Sequence, residues 1–572
     1  MQYKGNPVSP GIAMGEVFLY SPSAPEISEK TIPPNESATA AAMEQYSNLL
    51  EKARTELTAI RDELMLNDEV DKAKIFEAQI DILFDTAMNA EIKKLIANSL
   101  LSPGWAIEKT YSKYIRILSR GKDERIRERA NDLQDIKARL HRIWFGAAVQ
   151  SLKSLEKEII LVAHNLFPSD TASLDRSKVL AIITEVGGST SHSAIIARSY
   201  GIPAILGIPN IMAQLRNGEP VIVDALEGAL YTSPDDLAYK QYRDKREEYM
   251  IKAREISKYL SVEPVTKDGV RIEVSLNIES AAPDELSGSL YTDGVGLFRT
   301  EFLYMNSLIL PTEEEQFLAY RKVALEFGER PVVLRTLDVG GDKQLGSLQL
   351  PKEENPFLGL RALRLCFEEL PLFKTQIRAV LRAACYGNLW LMLPMVASLD
   401  DIRAAKAVID DVKNCLAQEG IEFKADVPVG IMIEIPSIAM VADIAVNEVD
   451  FASIGTNDLC QYLTAVDRMN PAVSKYYQCY HPAMFRMIKQ VVSVFNGAGK
   501  PVSVCGEMGG DPPAVAALIG LGIRKLSMGI SSVPGVKKLI TGLTLPQAIA
   551  LAEQSIAKAT ASEVESCLRE GI

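Results

Sequence analysis

The chain has 572 residues and a mass of 62.7 kDa, which exceeds what one compact core ordinarily supports and predicts roughly three or four domains. Apolar residues make up 47% and charged residues 24% of the composition, which excludes large disordered tracts. The sequence contains 62 Lys and Arg residues and 74 Asp and Glu residues, and the resulting net charge of −12 disfavours a nucleic-acid partner. The sequence contains neither an apolar run of membrane-spanning length nor the apolar core of a signal peptide, so we predict a cytoplasmic protein without membrane insertion.

Helical periodicity dominates the segment that follows the first twenty or so residues. Apolar residues recur at helical spacing in 36–66, in 70–98 and again from Trp105 onward. We therefore predict a four-helix unit over residues 24–148, in which Pro103 and Gly104 form one turn.

Short apolar strands lie on both sides of this helical unit. One is predicted at 15–20, and four follow the helices, at 158–163, 179–184, 220–225 and 229–232. Strands split by a helical insertion predict that residues 1–23 and 149–232 form a single α/β domain. A highly charged segment, 233–262, then indicates one long linker helix that begins at Pro234.

The remainder of the chain, 263–572, alternates strand and helix patterns. Eight apolar strands are predicted, at 271–278, 294–300, 331–338, 389–396, 428–435, 451–455, 501–506 and 525–528. Eight successive βα units are typical of a TIM barrel. The predicted fold class is therefore multidomain α/β, in which an α/β domain with a helical insertion is joined by a long helix to a C-terminal barrel.

Polar residues stand at the carboxyl ends of five of these strands, which is the edge where barrel enzymes carry their active sites. They are Arg299 with Glu301, Arg335 with Asp338, Glu434, Asn457 with Asp458, and Cys505 with Glu507. Structural ion pairs would account for one or two such positions but not readily for five strands. We therefore predict an active site at this edge.

The residue types at this edge favour an anionic substrate and a divalent cation. Glu434 and Asp458 would supply oxygen ligands for Mg²⁺. Permanent positive charge suits phosphate and carboxylate oxygens, and it is contributed by Arg299, Arg335, Arg468 and Lys343. A small substrate that carries both groups follows. Cys505 has two interpretations, a thiol that moves a proton to or from carbon or a buried core cysteine.

A glycine-rich segment precedes a predicted helix in the α/β domain. Residues 187–192 read Gly-Gly-Ser-Thr-Ser-His, so backbone N–H groups and a helix N-terminus could receive an anion next to His192. A neutral imidazole is an adequate nucleophile near pH 7. From the pattern alone, His192 is either such a nucleophile or a structural histidine of a capping turn.

Six segments together resemble the enzyme I family of the bacterial phosphoenolpyruvate-dependent sugar phosphotransferase system, and the resemblance extends over almost the whole chain. They cover residues 9–13, 187–198, 294–303, 354–359, 453–459 and 504–507. The histidine segment by itself would also fit pyruvate phosphate dikinase and phosphoenolpyruvate synthase. The resemblance implies transfer of the phosphoryl group from phosphoenolpyruvate to the chain's own histidine, then to a histidine-containing phosphocarrier protein, with release of pyruvate.

The resemblance also implies roles for individual residues. His192 corresponds to the phosphohistidine, with Thr171 as a partner of its ring, and Cys505 corresponds to the proton donor to the enolpyruvate carbon. Arg299, Arg335 and Arg468 match residues that bind phosphoenolpyruvate. Asn457 and Asp458 match the phosphate and metal loop, and Glu434 with Asp458 match the Mg²⁺ ligands.

Family membership would further imply a homodimer formed through the barrel and carrier docking on the helical insertion. Gln79 departs from the family pattern there, because many relatives have histidine at that position. Two alternatives remain. An ATP-dependent dikinase or synthase would require a nucleotide-binding domain, for which the sequence shows no P-loop. A catalytically inactive protein that senses phosphoenolpyruvate and binds a carrier would not be expected to retain the complete set of candidate residues.

Overall fold

A computed structural model describes residues 1–20, 29–66, 70–119, 124–146, 152, 155–167, 170, 174–187, 192–305, 310–340, 348 and 353–572. The chain divides into two compact units, Met1–Lys252 and Ala253–Ile572, and each has hydrophobic cores of its own. The boundary falls within a long helix, Asp236–Ser257. Across the described ranges, no helix is both long enough and apolar enough to cross a membrane.

The N-terminal unit contains an eight-stranded sheet in the order β1-β8-β7-β3-β4-β5-β6-β2. Its strands are β1 Gln2–Lys4, β2 Asn6–Ser9, β3 Ile12–Tyr20, β4 Ile159–Ala163, β5 Val179–Thr184, β6 Ala204–Leu206, β7 Pro220–Asp224 and β8 Ala229–Thr232. Because β3 pairs in parallel with β4, strands from both sides of the helical insertion belong to one sheet. The sequence analysis missed β1, β2 and β6, which have three or four residues each and are too short for alternation to be read. Among the described residues, the helices His192–Ser199 and Ile211–Gln214 accompany the sheet.

The described part of the insertion contains five helices, so the prediction of four was wrong. They are Glu36–Leu66, Val70–Leu83, Thr86–Ser99, Pro103–Ser119 and Glu124–Phe145. The predicted helix over 70–98 is interrupted because Asp85 caps a new helix, with its carboxylate accepting a hydrogen bond from the Met88 N–H. Pro103 and Gly104 do not form a turn but begin a helix, since proline at the first helical position has no N–H to satisfy.

His141 is buried in this helical bundle. Its protonation makes the stability of the bundle dependent on pH. Its Nδ1 lies 3.7 Å from Glu108 Oε2, but burial outweighs that attraction and lowers the pKa of His141 from 6.5 to about 4. Between these values the unfolded chain binds more protons than the folded one. We therefore expect the stability of the bundle to be lost as pH falls from about 6.5 toward 4, by up to roughly 3 kcal/mol from this group.

The measurement uses urea unfolding of the full chain at pH 7 and pH 5. Of the three tryptophans, Trp105 and Trp144 pack against the bundle core, so fluorescence of a Trp390→Phe chain reports on the bundle. The shift of midpoint between the two pH values should shrink in His141→Gln and remain in the control His164→Gln, whose ring is exposed. If the urea midpoint of His141→Gln shifted between pH 7 and pH 5 as much as that of the parent chain, the pH dependence could not be assigned to His141.

The C-terminal unit is a closed barrel of eight parallel strands, which confirms the predicted TIM barrel. The strands are β9 Glu273–Ile278, β10 Val295–Arg299, β11 Val332–Arg335, β12 Leu389–Leu393, β13 Val429–Ile433, β14 Ala452–Ile454, β15 Val502–Val504 and β16 Lys525–Met528. Most are shorter than predicted, because the apolar patterns continue into the loops. The candidate polar residues therefore lie in or just beyond the last strand residues.

Helices cover the barrel, and several begin with capping boxes, such as the pair Ser398 and Asp401 at the start of Leu399–Glu419. The helices of this unit are Pro283–Leu286, Glu301–Met305, Glu313–Phe327, Leu363–Glu368, Leu370–Ala383, Leu399–Glu419, Pro436–Met440, Ala442–Ala445, Thr456–Thr464, Pro482–Gly497, Pro512–Gly520, Val533–Gly542, Leu545–Ala557 and Ala561–Glu570. Apolar side chains of strands and helices form one large core. That core holds the carboxyl ends of the strands in register.

Candidate active site at the barrel edge

Five charged side chains are buried together at the carboxyl ends of β11, β13 and β14. They are Arg335, Asp338, Arg361, Glu434 and Asp458, and none is more than 7% exposed. Burial of ionised groups is costly unless they are paired. The contacts within this cluster therefore determine what the site can bind.

Arg335, the last residue of β11, is held from two sides by carboxylates. Its guanidinium forms an ion pair with Glu301 and lies 2.9 Å from Asp338 Oδ2. Burial alone would lower the pKa of Arg335, but Glu301 and Asp338 hold it above its ordinary value. Arg335 is thus a fixed positive charge at the strand end.

Arg361 bridges two further acids. Its Nη2 donates to both carboxylate oxygens of Asp338, at 2.9 and 3.2 Å, and its Nη1 donates to Asp458 Oδ1 at 3.1 Å. The sequence analysis missed this residue, although the segment 354–359 that it singled out ends only two positions earlier. Since an arginine fork can hold two carboxylates at once, Arg361 connects the end of β11 to the helix that follows β14.

Glu434 follows β13 and lies beside the end of β14. Its Oε1 accepts a hydrogen bond of 2.6 Å from the Met395 N–H, and a Cβ added at Gly455 would lie 3.0 Å from its Oε2. Burial, together with the charges of Asp458 and Asp338, raises the pKa of Glu434 to about 8. Two acids that repel each other in a buried site are a donor set that a divalent cation would stabilise.

The carboxylates of Glu434 and Asp458 fit a hard cation such as Mg²⁺, which takes few protein ligands and keeps waters and substrate oxygens. Among the residues that the structure describes, no group of three or more His, Cys, Asp or Glu side chains is arranged to hold a metal ion. A site with two protein carboxylates would therefore require the remaining ligands to come from water and substrate.

Cys505 lies just beyond β15 and is buried against the same charges. Burial raises the pKa of its thiol to about 11, against the opposing influence of Ser453 and Arg335. The thiol therefore stays protonated at neutral pH. A protonated thiol beside a charged site has the form that a proton donor needs.

Several buried polar atoms of the site have no hydrogen-bond partner within the described ranges, namely Nε of Arg335, Nε of Arg361 and Oγ1 of Thr456. The backbone also comes close here, because a Cβ added at Gly506 would lie 2.0 Å from Thr456 Oγ1. Only glycine fits that approach. Unsatisfied donors beside a close backbone approach are suited to receive an anion.

The other predicted barrel residues lie at the rim of this cluster. Arg299 Nη1 lies 2.8 Å from Glu279 Oε1, and Arg468 Nη1 lies 3.5 Å from Asp458 Oδ2. The Asn457 side chain accepts from the Glu507 N–H at 2.9 Å. The barrel thus brings together all the predicted site residues of 263–572 except Lys343, which lies outside the described residues.

The predicted residues of the N-terminal unit are described only in part. His192 is the first residue of the helix His192–Ser199, and the described backbone before it ends at Gly187, which has a φ of +118°. Thr171 lies outside the described residues, as do positions 188–191. The assignment of His192 therefore depends on the sequence pattern and its place at a helix N-terminus.

Three family models match consecutive parts of the chain. The N-terminal domain of PEP-utilising enzymes matches residues 4–129, their mobile domain residues 155–228, and their PEP-binding domain residues 253–545.

Curated relatives match over nearly the full length. The phosphoenolpyruvate-protein phosphotransferase of Listeria monocytogenes is 41% identical over 566 residues, which is 98% of this chain and 98% of the relative. That of Geobacillus stearothermophilus is 40% identical over 567 residues, 99% of this chain and 97% of the relative. That of Staphylococcus carnosus is 39% identical over 573 residues, 100% of this chain and 99% of the relative.

Proposed function

The chain belongs to the family of phosphoenolpyruvate-protein phosphotransferases. From this premise we propose which of its residues carry out each step of the reaction. As a member it is an enzyme that acts on phosphoenolpyruvate and a phosphocarrier protein. Neither alternative, an inactive sensor or an ATP-dependent relative, is favoured. The buried charge cluster around Arg335 and Arg361 is the observation that carries the assignment of residues.

In the first step, a ring nitrogen of neutral His192 attacks the phosphorus of phosphoenolpyruvate. A bond from nitrogen to phosphorus forms, and the bond from phosphorus to the enol oxygen breaks. The place of His192 at the start of a helix supports this role, because the N-terminal end of a helix favours the negative phosphoryl group. Thr171 is proposed to orient the ring.

The leaving enolate then requires a proton on carbon to become pyruvate. We assign this proton to Cys505, because the pKa of about 11 keeps the thiol protonated until the enolate forms. Arg335 contributes positive charge beside the thiol, which favours the thiolate that remains.

Substrate binding is assigned to the basic residues of the barrel edge. Arg335 is positioned by its ion pairs, and we assign its Nε, which has no hydrogen-bond partner among the described residues, to an oxygen of the substrate. Arg299, Arg468 and Lys343 are proposed to hold the phosphate and carboxylate from the more open side, with Asn457 at the phosphate. Bidentate arginine contacts would fix the orientation of both groups.

The family uses a divalent metal, and we propose that here it is Mg²⁺ held by Glu434 and Asp458. When bound, the metal would neutralise developing charge on the phosphate and enolate oxygens. The buried carboxylates support this assignment, because burial and the charges of Asp458 and Asp338 raise the pKa of Glu434 more than the nearby Arg335 and Arg361 lower it.

We expect Glu434→Gln and Asp458→Asn to raise the Mg²⁺ concentration needed for half-maximal phosphorylation by about 10-fold to 100-fold, because each removes one of two protein ligands. The measurement is transfer of ³²P from labelled phosphoenolpyruvate to the purified chain over a range of Mg²⁺ concentrations. Glu448→Gln, which removes a carboxylate paired with Arg403 on the barrel surface, is the matched control. Unchanged Mg²⁺ dependence in both variants would refute the assignment.

The resemblance also supports the assignment of a separate function to each domain of the chain. We propose a phosphohistidine domain of residues 1–23 and 149–232, a carrier-binding insertion of 24–148, a linker of 233–262, and a barrel of 263–572 that binds phosphoenolpyruvate and forms a homodimer. Sedimentation of the full chain at several concentrations tests the dimer, and a monomer at all of them would refute it.

A further inference from the structure

A buried glutamine lies behind the strand end that carries Arg335. Gln376 belongs to the helix Leu370–Ala383, and the other buried residues of that helix are all apolar. A buried amide costs free energy unless its hydrogen bonds are made. No step of the proposed mechanism uses Gln376, so the partners of its amide show what the residue does.

The amide of Gln376 holds the end of β11 in two ways. Its Oε1 accepts a hydrogen bond of 2.8 Å from the Leu337 N–H, which lies beyond β11 between Arg335 and Asp338. Its Nε2 donates to Thr300 Oγ1 at 2.9 Å, and the Thr300 hydroxyl donates to the Arg335 carbonyl at 2.8 Å. Gln376 therefore fixes the backbone that follows the Arg335 side chain, once directly and once through Thr300.

The directions of these hydrogen bonds require an amide at position 376. A backbone N–H can only donate, so the Leu337 N–H must meet an acceptor. The Thr300 hydroxyl gives its single proton to the Arg335 carbonyl, so Thr300 Oγ1 must meet a donor. A glutamine side chain supplies an acceptor and a donor together, which neither a carboxylate nor an apolar side chain can do.

Thr300 also joins this network to the ion pairs of the site. It directly precedes Glu301, whose carboxylate pairs with Arg335. Thr300 and Glu301 are completely buried and Arg335 is nearly so, so protein contacts rather than water determine their positions. A group that binds substrate needs such support, because it must be held within about 0.5 Å of its productive position.

We propose that Gln376 and Thr300 are positioning residues, which hold the Arg335 guanidinium where it meets an oxygen of phosphoenolpyruvate. They act through the backbone of residues 335–337 and through the neighbouring Glu301. The inference rests on the proposed function, in which Arg335 binds the substrate.

A second branch of the same network provides a control. Gln376 Nε2 also donates to the Tyr320 hydroxyl at 3.2 Å, and this hydroxyl donates to Gln316 Oε1 at 3.1 Å. Both partners lie in the helix Glu313–Phe327, so this branch leads away from the end of β11. Tyr320→Phe therefore removes buried hydrogen bonds but keeps those from Gln376 to Leu337 and Thr300.

The test measures binding of phosphoenolpyruvate by calorimetry in the presence of Mg²⁺. Every variant is made in the full-length His192→Ala chain, which cannot turn the substrate over. We expect Gln376→Met and Thr300→Val to weaken binding by about tenfold or more, because misplacement of a binding group is costly. Thr300→Ser, which keeps the hydroxyl, should bind like the parent chain, and so should Tyr320→Phe.

Stability is measured separately from binding. Urea unfolding is followed by the fluorescence of Trp390 in chains whose other two tryptophans are replaced by phenylalanine. We expect both Tyr320→Phe and Thr300→Val to lower the urea midpoint, because each leaves a buried polar group unpaired. Only Thr300→Val should weaken binding, which a merely structural role would not produce.

Normal binding by both Gln376→Met and Thr300→Val would overturn the positioning role. Weakening by Tyr320→Phe to the same extent as by Thr300→Val would also overturn it, because the loss would then follow stability alone. Arg335→Lys tests the proposed function separately, since lysine keeps the charge but lacks the guanidinium fork. Normal binding by Arg335→Lys would refute the substrate contact of Arg335, whereas weak binding by this variant alone would refute only the positioning by Gln376 and Thr300.

Discussion

Replacement of His192 by alanine is expected to abolish phosphorylation of the chain by phosphoenolpyruvate. The variant lacks the nitrogen that accepts the phosphoryl group, so neither labelling nor transfer to a carrier can proceed. The measurement is incorporation of ³²P from phosphoenolpyruvate in the presence of Mg²⁺. The label on the parent chain should be stable in base and labile in acid, as expected for a phosphoramidate.

His164→Ala is the matched control for this experiment. His164 belongs to the same compact unit, but its ring is exposed and its Nδ1 lies 2.6 Å from Glu185 Oε2. We expect this variant to be labelled to the same extent as the parent chain. Full labelling of His192→Ala would contradict the assignment of the acceptor. Loss of labelling in His164→Ala would contradict it as well.

Replacement of Arg361 by methionine is expected to have the largest effect in the barrel. The change leaves Asp338 and Asp458, both buried, without the guanidinium that bridges them. Removal of one partner from a buried ion pair typically costs about 3–5 kcal/mol. Because Asp458 is also a proposed metal ligand, labelling from phosphoenolpyruvate should fall together with barrel stability.

Stability of the barrel can be followed in a chain in which Trp105 and Trp144 are replaced by phenylalanine. The remaining Trp390 lies in β12 and packs on Phe451, with ring centroids 4.9 Å apart. Its fluorescence therefore reports on unfolding of the barrel in urea.

Arg378→Met provides the contrast. Arg378 forms ion pairs with Glu313 and Glu419, but its side chain is 19% exposed, and ion pairs accessible to water contribute about 0–1 kcal/mol. We expect only a small shift of the urea midpoint. Equal shifts of the urea midpoint in Arg361→Met and Arg378→Met would show that the buried ion pairs of Arg361 stabilise the barrel no more than the accessible ion pairs of Arg378.

Much of the fold could be predicted because strands and helices leave local signals. Apolar runs such as the one that became β13, buried along its whole length, predicted all eight barrel strands in their order. The errors occurred where local signals were weak or misread. Asp85 interrupts a helix through a single capping hydrogen bond, and β6 has only three residues, so neither feature alters the apolar periodicity enough to be seen.

Most candidate residues of the barrel were predicted from residue type and position at strand ends, with their individual roles implied by the family resemblance, and Arg361 shows the limit of that method. It follows no barrel strand directly, so the pattern of strand ends did not point to it. Its contacts with Asp338 and Asp458 span 23 and 97 positions of sequence. Pairing over such separations is decided by packing of the barrel rather than by local pattern.

The sequence by itself determined the order of the elements, and it predicted most of the polar residues that the structure places together at one edge of the barrel, because periodicity and strand-end position are local properties. Only the tertiary structure decided which charges are paired and which acid has a raised pKa. Glu434 shows why, since its pKa of about 8 arises from burial and from Asp458 and Asp338, which belong to the segments that follow β14 and β11. Desolvation and Coulomb interactions depend on distances in space, and these are set only when the barrel closes.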